Sequence, residues 1–175
     1  MTMKLFIGIV PPEDIYHAIL NIQNQFGDNR VEPHITLCAP VTPIDDKEWL
    51  KVAEVVAWQF DPFTVELPAT GFFGNRVLFI DIKSEGIYPL QNQLSSALKN
   101  FEPPSPKAHN KYHPHLTLGR LWCGFTKNDF AAMKKLADEF LSKQPQFFTA
   151  SSLRIYHKPL NNKRWQTLND LQFSP

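Results

Sequence analysis

The stretch Pro33-His34-Ile35-Thr36-Leu37 occurs a second time, with one aliphatic exchange, as Pro114-His115-Leu116-Thr117-Leu118. Side chains of a β-strand alternate between its two faces, so each histidine shares a face with the threonine two residues later. The aliphatic residues of each copy point the opposite way. A proline before each histidine suits the first residue of a strand, where no backbone donor is needed. Each copy therefore predicts a strand with an imidazole and a hydroxyl on one face and a core-facing back.

The order of predicted elements around the two motifs also repeats. Each half reads strand, helix, motif strand, helix, strand, and the opening strands at 5–9 and 78–82 have similar sequences. An internal duplication explains this order and predicts one domain over residues 1–175 with two lobes related by a pseudo-twofold axis. We expect the two motif strands to meet between the lobes, which is a common place for a ligand site.

Apolar periodicity and the positions of proline and glycine predict the remaining elements. Helices are expected over 13–26, 45–58, 86–100 and 127–141, and Asp45 is expected to cap the second of them. Gly74-Asn75 is typical of a hairpin turn. The predicted strands cover 4–10, 31–38, 63–67, 77–82, 112–121, 147–157 and 163–173.

Composition restricts the class of protein. The 175 residues are 43% apolar and 20% charged, as in an ordinary globular domain, and no apolar run approaches the ~20 residues that span a bilayer. A net charge of +1 argues against a general nucleic-acid binder but is compatible with a small phosphate ligand or an RNA end. Cys38 and Cys123 make no disulfide framework, so we expect two reduced thiols in a cytoplasmic protein, monomeric by default.

Two histidines on opposite sides of a pocket suit general acid–base chemistry, because an unperturbed imidazole titrates near pH ~6.5. Thr36 and Thr117 could hold the non-bridging oxygens of a phosphate. Strand alternation puts Arg120 on the opposite face, although a bulge or the strand end could turn its guanidinium to the phosphate. A lone His-x-Thr is a weak motif, often a histidine satisfied by nearby backbone, but two equivalent copies favour catalysis.

Aromatic residues near the motifs are candidates for stacking on an unpaired nucleobase, with core packing as the alternative for each. They are Phe72, Phe73, Tyr112 and Tyr156. His109 and His113 lie close to His115 in the sequence, but no carboxylate or cysteine stands at the usual ligand spacing. We therefore expect neither a metal nor another cofactor.

The paired motifs resemble those of the two-histidine (2H) phosphoesterases, in particular the RNA 2′,3′-cyclic phosphodiesterase or 2′-5′ RNA ligase-like group. Three further segments are similar to the same group: 5–12, 71–78 and 153–168. The resemblance covers nearly the whole chain. It implies a bilobal α+β fold, with mainly antiparallel sheets lining a central cleft and helices outside. It also implies that His34 and His115 are catalytic and that Thr36 and Thr117 hold the phosphate.

The function expected from the motifs and the resemblance is metal-independent hydrolysis of a 2′,3′-cyclic phosphate, on an RNA end or a small nucleotide. One histidine activates water and the other protonates the departing sugar oxygen. Two alternatives remain: joining of 2′-5′ RNA ends, and a non-catalytic module that binds nucleotides or RNA ends. The sequence leaves open which histidine is the base, which oxygen leaves and what the natural substrate is.

Overall fold

The computed structural model describes residues 3–104 and 111–175, and these form an α+β fold with a seven-stranded sheet and a separate two-stranded sheet. The helices of the described parts are α1 (Glu13–Asn24), α2 (Asp46–Ala57), α3 (Ile87–Leu98) and α4 (Lys127–Lys143). The strands are β1 (Lys4–Ile9), β2 (Ile35–Val41), β3 (Phe63–Glu66), β4 (Thr70–Phe73), β5 (Val77–Asp81), β6 (His115–Arg120), β7 (Phe147–Ala150), β8 (Ser152–Lys158) and β9 (Gln166–Gln172).

The two motif strands lie side by side at the centre of the large sheet. The strand order is β4-β5-β6-β2-β1-β8-β9, and neighbouring strands run antiparallel. Outward from the centre, each motif strand is followed by the opening strand of its own half, β1 or β5. β2 and β6 are in register at one pair, Ile35 opposite Leu116. The mainly antiparallel α+β fold expected from the sequence is therefore confirmed.

The helices cover one face of the large sheet. Helix α1 packs against α4 and α2 against α3. Apolar residues at helical spacing, such as Leu90, Leu94 and Leu98 of α3, are fully buried there. The opposite face of the sheet has a smaller apolar cluster of Phe6, Val31 and Tyr156. This second face is the one toward which the motif histidines point.

The stretch predicted as one strand over 147–157 forms two strands in different sheets. β7 pairs with β3 in the small sheet, whereas β8 pairs with β1 in the large one. The physical reason is a change in alternation: Phe148 and Ala150 are buried, but the next buried residues are Leu153 and Ile155. The alternation therefore slips by one residue at Ser151, and the chain turns from one sheet to the other there.

Two predicted local devices are confirmed. The Asp45 carboxylate accepts hydrogen bonds from the backbone N–H groups of Lys47 and Glu48, at 3.0 and 3.1 Å, and so caps α2. The hairpin between β4 and β5 turns at Gly74, whose φ of +56° favours glycine.

Both thiols are reduced, with Cys38 buried and Cys123 partly buried. Within the described residues, no helix is both long and apolar enough to cross a membrane.

Candidate active site

The predicted alternation of the two motifs is confirmed. The aliphatic residues of both copies are buried in the core, while the histidines and threonines face the other side of the sheet. Continuing the antiparallel register by one residue from the central pair sets His34 beside Thr117 and Thr36 beside His115. Each histidine therefore has a threonine of the other half as a neighbour. The register therefore places the four side chains next to one another on one face of the sheet.

Each imidazole is held in one tautomer by the backbone two residues earlier. His34 Nδ1 lies 2.7 Å from the carbonyl oxygen of Glu32, and His115 Nδ1 lies 2.7 Å from that of His113. A carbonyl oxygen only accepts, so Nδ1 has the proton in both rings. Nε2 is then left, in the neutral ring, as a proton acceptor, and that of His34 lies 3.1 Å from Thr36 Oγ1. The structure thus points the basic nitrogen of both histidines away from the backbone.

Each imidazole also packs against a phenylalanine of the neighbouring opening strand. The ring centroids are 5.1 Å apart for Phe6 and His34, and 5.3 Å apart for Phe79 and His115. A Cβ at Gly8 would lie 3.3 Å from the Cδ2 atom of His34. The missing side chain of Gly8 therefore leaves room for the His34 ring.

Burial lowers the pKa of both histidines. Loss of hydration is the largest cause for His34, and the charges of Arg120 and His115 act in the same direction, so that its pKa falls to about 4 in spite of the hydrogen bond to the Glu32 backbone. Loss of hydration is also the largest cause of the lowered pKa of His115, which is only half-buried. Both rings are therefore neutral near pH 7, and a bound phosphate anion would favour protonation of either.

Arg120 reaches the site through a bulge. The pairing of β5 with β6 is irregular and leaves one extra residue, Leu118, on β6. The alternation shifts after it, so Arg120 is on the same face as Thr117, and its Nη2 donates to Thr117 Oγ1 at 3.4 Å. Arg120 lines a small pocket of about 70 Å³ together with His34 and Thr36. Sequence analysis offered a bulge or the strand end as ways to turn Arg120, and the structure has the bulge.

Glu32 anchors the half-site around His34. Its carboxylate accepts hydrogen bonds from Tyr16 Oη at 3.2 Å, Tyr156 Oη at 2.8 Å and Arg154 Nη1 at 2.8 Å. Arg154 also makes a two-pronged contact with Asp170, with both distances 2.7 Å. The same residue whose carbonyl fixes the His34 tautomer is thus held by four other side chains, directly or through Arg154.

His113 anchors the half-site around His115 more simply. Its Nε2 lies 2.8 Å from Asp81 Oδ1, and both side chains are exposed. The sequence named His113 only as a weak metal ligand. Among the residues that the structure describes, no group of three or more histidines, cysteines or carboxylates could hold a metal, and His109 lies outside them. The structure gives His113 a different role, as the carbonyl partner of His115.

Phe73, one of the candidate stacking residues, lies beside His115. Its ring is edge-on to that of His115, with centroids 4.8 Å apart, and it lines a cleft of about 930 Å³. That volume suits a ligand of nucleotide size. Phe72 points the other way and packs against Phe130, so it is a core-rim residue.

The two candidate tyrosines differ from each other in position. Tyr156 is 1% exposed and stacked on Phe6, with their centroids 4.3 Å apart, so it has no face for a ligand. We correct it from a substrate contact to a support beneath His34. Tyr112 lines the large cleft, but its hydroxyl donates to the Thr36 carbonyl at 2.9 Å. This hydrogen bond therefore links the segment that precedes β6 to strand β2.

Side chains satisfy the backbone where the motif strands diverge. Gln23 Nε2 donates to the Thr117 carbonyl and Asn29 Nδ2 to the Leu118 carbonyl, both at 2.9 Å and both buried. Buried carbonyls need such partners when no ladder partner is present. With Tyr112, these residues form what we call the cleft wedge. Sequence reasoning missed Gln23 and Asn29, because nothing near them in the chain marks a contact with β6.

The chain is also similar in sequence to known proteins. The model of the 2′-5′ RNA ligase superfamily matches residues 11–160. The chain is 30% identical over 171 residues to the RNA 2′,3′-cyclic phosphodiesterase of Methanocaldococcus jannaschii, covering 90% of this chain and 92% of the relative.

Solved structures share the fold. E. coli LigT complexed with 3′-AMP has a TM-score of 0.68 and 18% identity, with all of both chains covered. A protein of Thermus thermophilus has a TM-score of 0.69 and 18% identity, with 97% of each chain covered. E. coli LigT complexed with phosphate has a TM-score of 0.64 and 18% identity, with 99% of each covered.

Proposed function

The chain belongs to the 2′-5′ RNA ligase superfamily, and we propose that it is a metal-independent phosphodiesterase that hydrolyses 2′,3′-cyclic phosphates on RNA ends or small nucleotides. The observation that carries the proposal is the pair of imidazoles whose Nδ1 atoms are occupied by backbone carbonyls. Their Nε2 atoms are left for proton transfer at one site. The name of the archaeal relative and the nucleotide bound by LigT support this substrate class.

The proposed reaction is an in-line displacement at phosphorus. One neutral imidazole takes a proton from water as the water oxygen attacks. The other imidazole, as the imidazolium, gives its proton to the sugar oxygen as the P–O bond breaks. Thr36, Thr117 and Arg120 hold the non-bridging oxygens, and the guanidinium stabilises the negative charge of the transition state. The product is a single phosphate monoester.

Ligation is the second candidate, and the description of the family model favours it. In that reaction a ribose 5′-hydroxyl takes the place of water, and the same imidazoles serve as base and acid. The product is then a 2′-5′ phosphodiester instead of a monoester. Product analysis with an RNA that ends in a cyclic phosphate and a second RNA with a 5′-hydroxyl separates the two.

We also propose that the chain acts as one bilobal domain with an internal repeat, in the cytoplasm and as a monomer. Each motif strand has the opening strand of its own half as its outer neighbour, which supports the repeat. The two reduced thiols support a reducing compartment. Light scattering coupled to size-exclusion chromatography tests the monomer, and a dimer mass would overturn it.

The deciding experiment follows the phosphate by ³¹P NMR. Purified protein is incubated in chelator with 2′,3′-cyclic AMP and, separately, with a short RNA that ends in a cyclic phosphate. We expect conversion to one monoester, whose chemical shift shows which oxygen leaves. If both compounds bind without conversion, the chain is a binding module and the proposed hydrolysis is wrong.

A further inference from the structure

Strands β1 and β8 form a ladder of side chains on the same face as the histidines. Phe6 is paired with Tyr156, and the next pair outward on that face is Lys4 with Lys158. Like charges directly opposite each other destabilise a sheet unless something compensates for them. In the described parts of the chain, neither lysine forms an ion pair with a carboxylate. The strand register therefore places these two lysines opposite each other, beyond the aromatic pair.

Trp165 completes this surface. Its ring is edge-on to Phe6, with centroids 4.7 Å apart, and Lys158 Nζ lies 5.5 Å from the indole centroid. The backbone N–H of Trp165 donates to the Arg30 carbonyl at 2.8 Å, which fixes the loop before β9. The indole also lines the small pocket that contains His34. The half-buried indole thus contacts both the pocket of His34 and Lys158. Lys4 lines the large cleft that contains His115.

We propose that Trp165, Lys158 and Lys4 form a binding subsite for the second-last nucleotide of an RNA, which is joined to the 5′ side of the nucleotide that bears the cyclic phosphate. The base stacks against the indole, and the phosphodiester that links this nucleotide to the rest of the RNA lies against the two ammonium groups. The inference rests on the proposed phosphodiesterase function and specifies its substrate as an oligonucleotide. Stacking on an aromatic ring and contact of lysines with phosphates are the usual recognition modes of single strands.

The geometry favours an oligonucleotide over a mononucleotide because the reacting phosphate has its own partners. Thr36, Thr117 and Arg120 surround the position beside the histidines, and the lysine pair lies beyond Phe6. A 2′,3′-cyclic mononucleotide has one phosphate and cannot occupy both positions. A chain of nucleotides has a second phosphate, as the lysine pair requires.

The test compares two substrates in each variant: a trinucleotide that ends in a 2′,3′-cyclic phosphate and the matching cyclic mononucleotide. We expect wild type to have a larger kcat/KM for the trinucleotide. The Lys4→Gln/Lys158→Gln double variant and the Trp165→Leu variant should each lower the trinucleotide-to-mononucleotide ratio about tenfold. Leucine at 165 keeps an apolar contact with Phe6. Lys135→Gln, which removes one exposed charge on α4, is the matched control and should leave the ratio unchanged.

Salt gives a second readout that a structural role would not change. The slope of log KM against log salt for the trinucleotide should fall by about one for each phosphate that the lysine variant no longer binds. An equal ratio and an equal slope in wild type and both variants would overturn the subsite while leaving the phosphodiesterase intact.

Binding measurements keep the subsite testable if the chain hydrolyses nothing. Fluorescence anisotropy with a labelled trinucleotide that ends in a phosphate monoester should then show about tenfold weaker binding in the same variants. Unchanged binding in those variants would reject the subsite, whereas failure of hydrolysis alone would reject only the proposed function.

Discussion

In the half-site around His34, the imidazole is 6% exposed, lies beside a stacked Phe6–Tyr156 pair and depends on a Glu32 that several side chains hold. In the half-site around His115, the same backbone bond and a similar phenylalanine contact occur, but the anchor is one exposed contact between His113 and Asp81. Duplicate motifs thus give the same tautomer in two environments. The difference teaches that the repeated motif sets the local geometry of each histidine. The neighbouring strands set how deeply that histidine is buried.

The largest expected effect comes from removing either imidazole. His34→Ala and His115→Ala should each lower kcat/KM by about 10²–10⁴-fold, because each removes a proton-transfer group. His34→Ala should also lower the melting temperature more, since it leaves a cavity in a buried aromatic cluster. Cyclic-phosphate turnover and thermal unfolding measure both quantities.

The control for this comparison is His17→Ala, an exposed histidine on α1 that should retain full activity. Turnover near the wild-type level in either motif variant would contradict the acid–base pair. Equal melting temperatures of the two motif variants would contradict the stronger structural effect expected from the deeper burial of His34.

The second prediction concerns stability against pH. The pKa of His34 is about 4 in the folded protein and about 6.5 in the unfolded chain, so the unfolded chain binds more protons between these values. The free energy of unfolding should therefore lose about 3 kcal/mol from this group as pH falls from about 6.5 to 4, and nothing above 6.5. Urea unfolding of wild type and of His34→Gln across this range measures the loss. It appears as a shrinking difference between their free energies of unfolding as pH falls.

For His115→Gln, the difference in free energy of unfolding from wild type should shrink less as pH falls, because His115 is only half-buried. The lowered pKa of both rings also predicts that the bell-shaped profile of kcat/KM against pH is centred below 6.5. A profile centred above pH 7 would show that the free protein does not lower both pKa values.

The face shared by each histidine and its threonine could be predicted from the sequence because it depends only on strand alternation. The position of Arg120 could not, since the bulge at Leu118 arises from how β5 and β6 pair. The two anchors could not be predicted either. Glu32 and His113 act through their carbonyl groups, which no side-chain pattern encodes. Gln23 contacts β6 from α1, a helix far away in the sequence.

The third prediction compares the two anchors directly. Glu32→Gln should lower the free energy of unfolding by about 1–3 kcal/mol, since it weakens charge-assisted bonds to Arg154 and Tyr156 that are largely shielded from water. Asp81→Asn should cost less than about 1 kcal/mol, because the His113–Asp81 contact is exposed. Urea denaturation at pH 7 gives both values. Equal losses in the free energy of unfolding would mean that burial of the anchor does not distinguish the two half-sites.

The fourth prediction concerns the hydrogen bond that joins the two halves. Tyr112→Phe keeps the ring but removes the hydroxyl that donates to the Thr36 carbonyl. The loss should be about 1 kcal/mol in the free energy of unfolding, as for a single hydrogen bond of a partly buried group. Because this bond ties the approach to His115 to the strand that bears His34, kcat should fall more than the affinity for inorganic phosphate. Tyr88→Phe, whose ring contacts Tyr112, is the matched control. A fall in kcat of equal size in the control would assign the effect to general loosening of the fold and leave the cleft wedge without a role in aligning the two histidines.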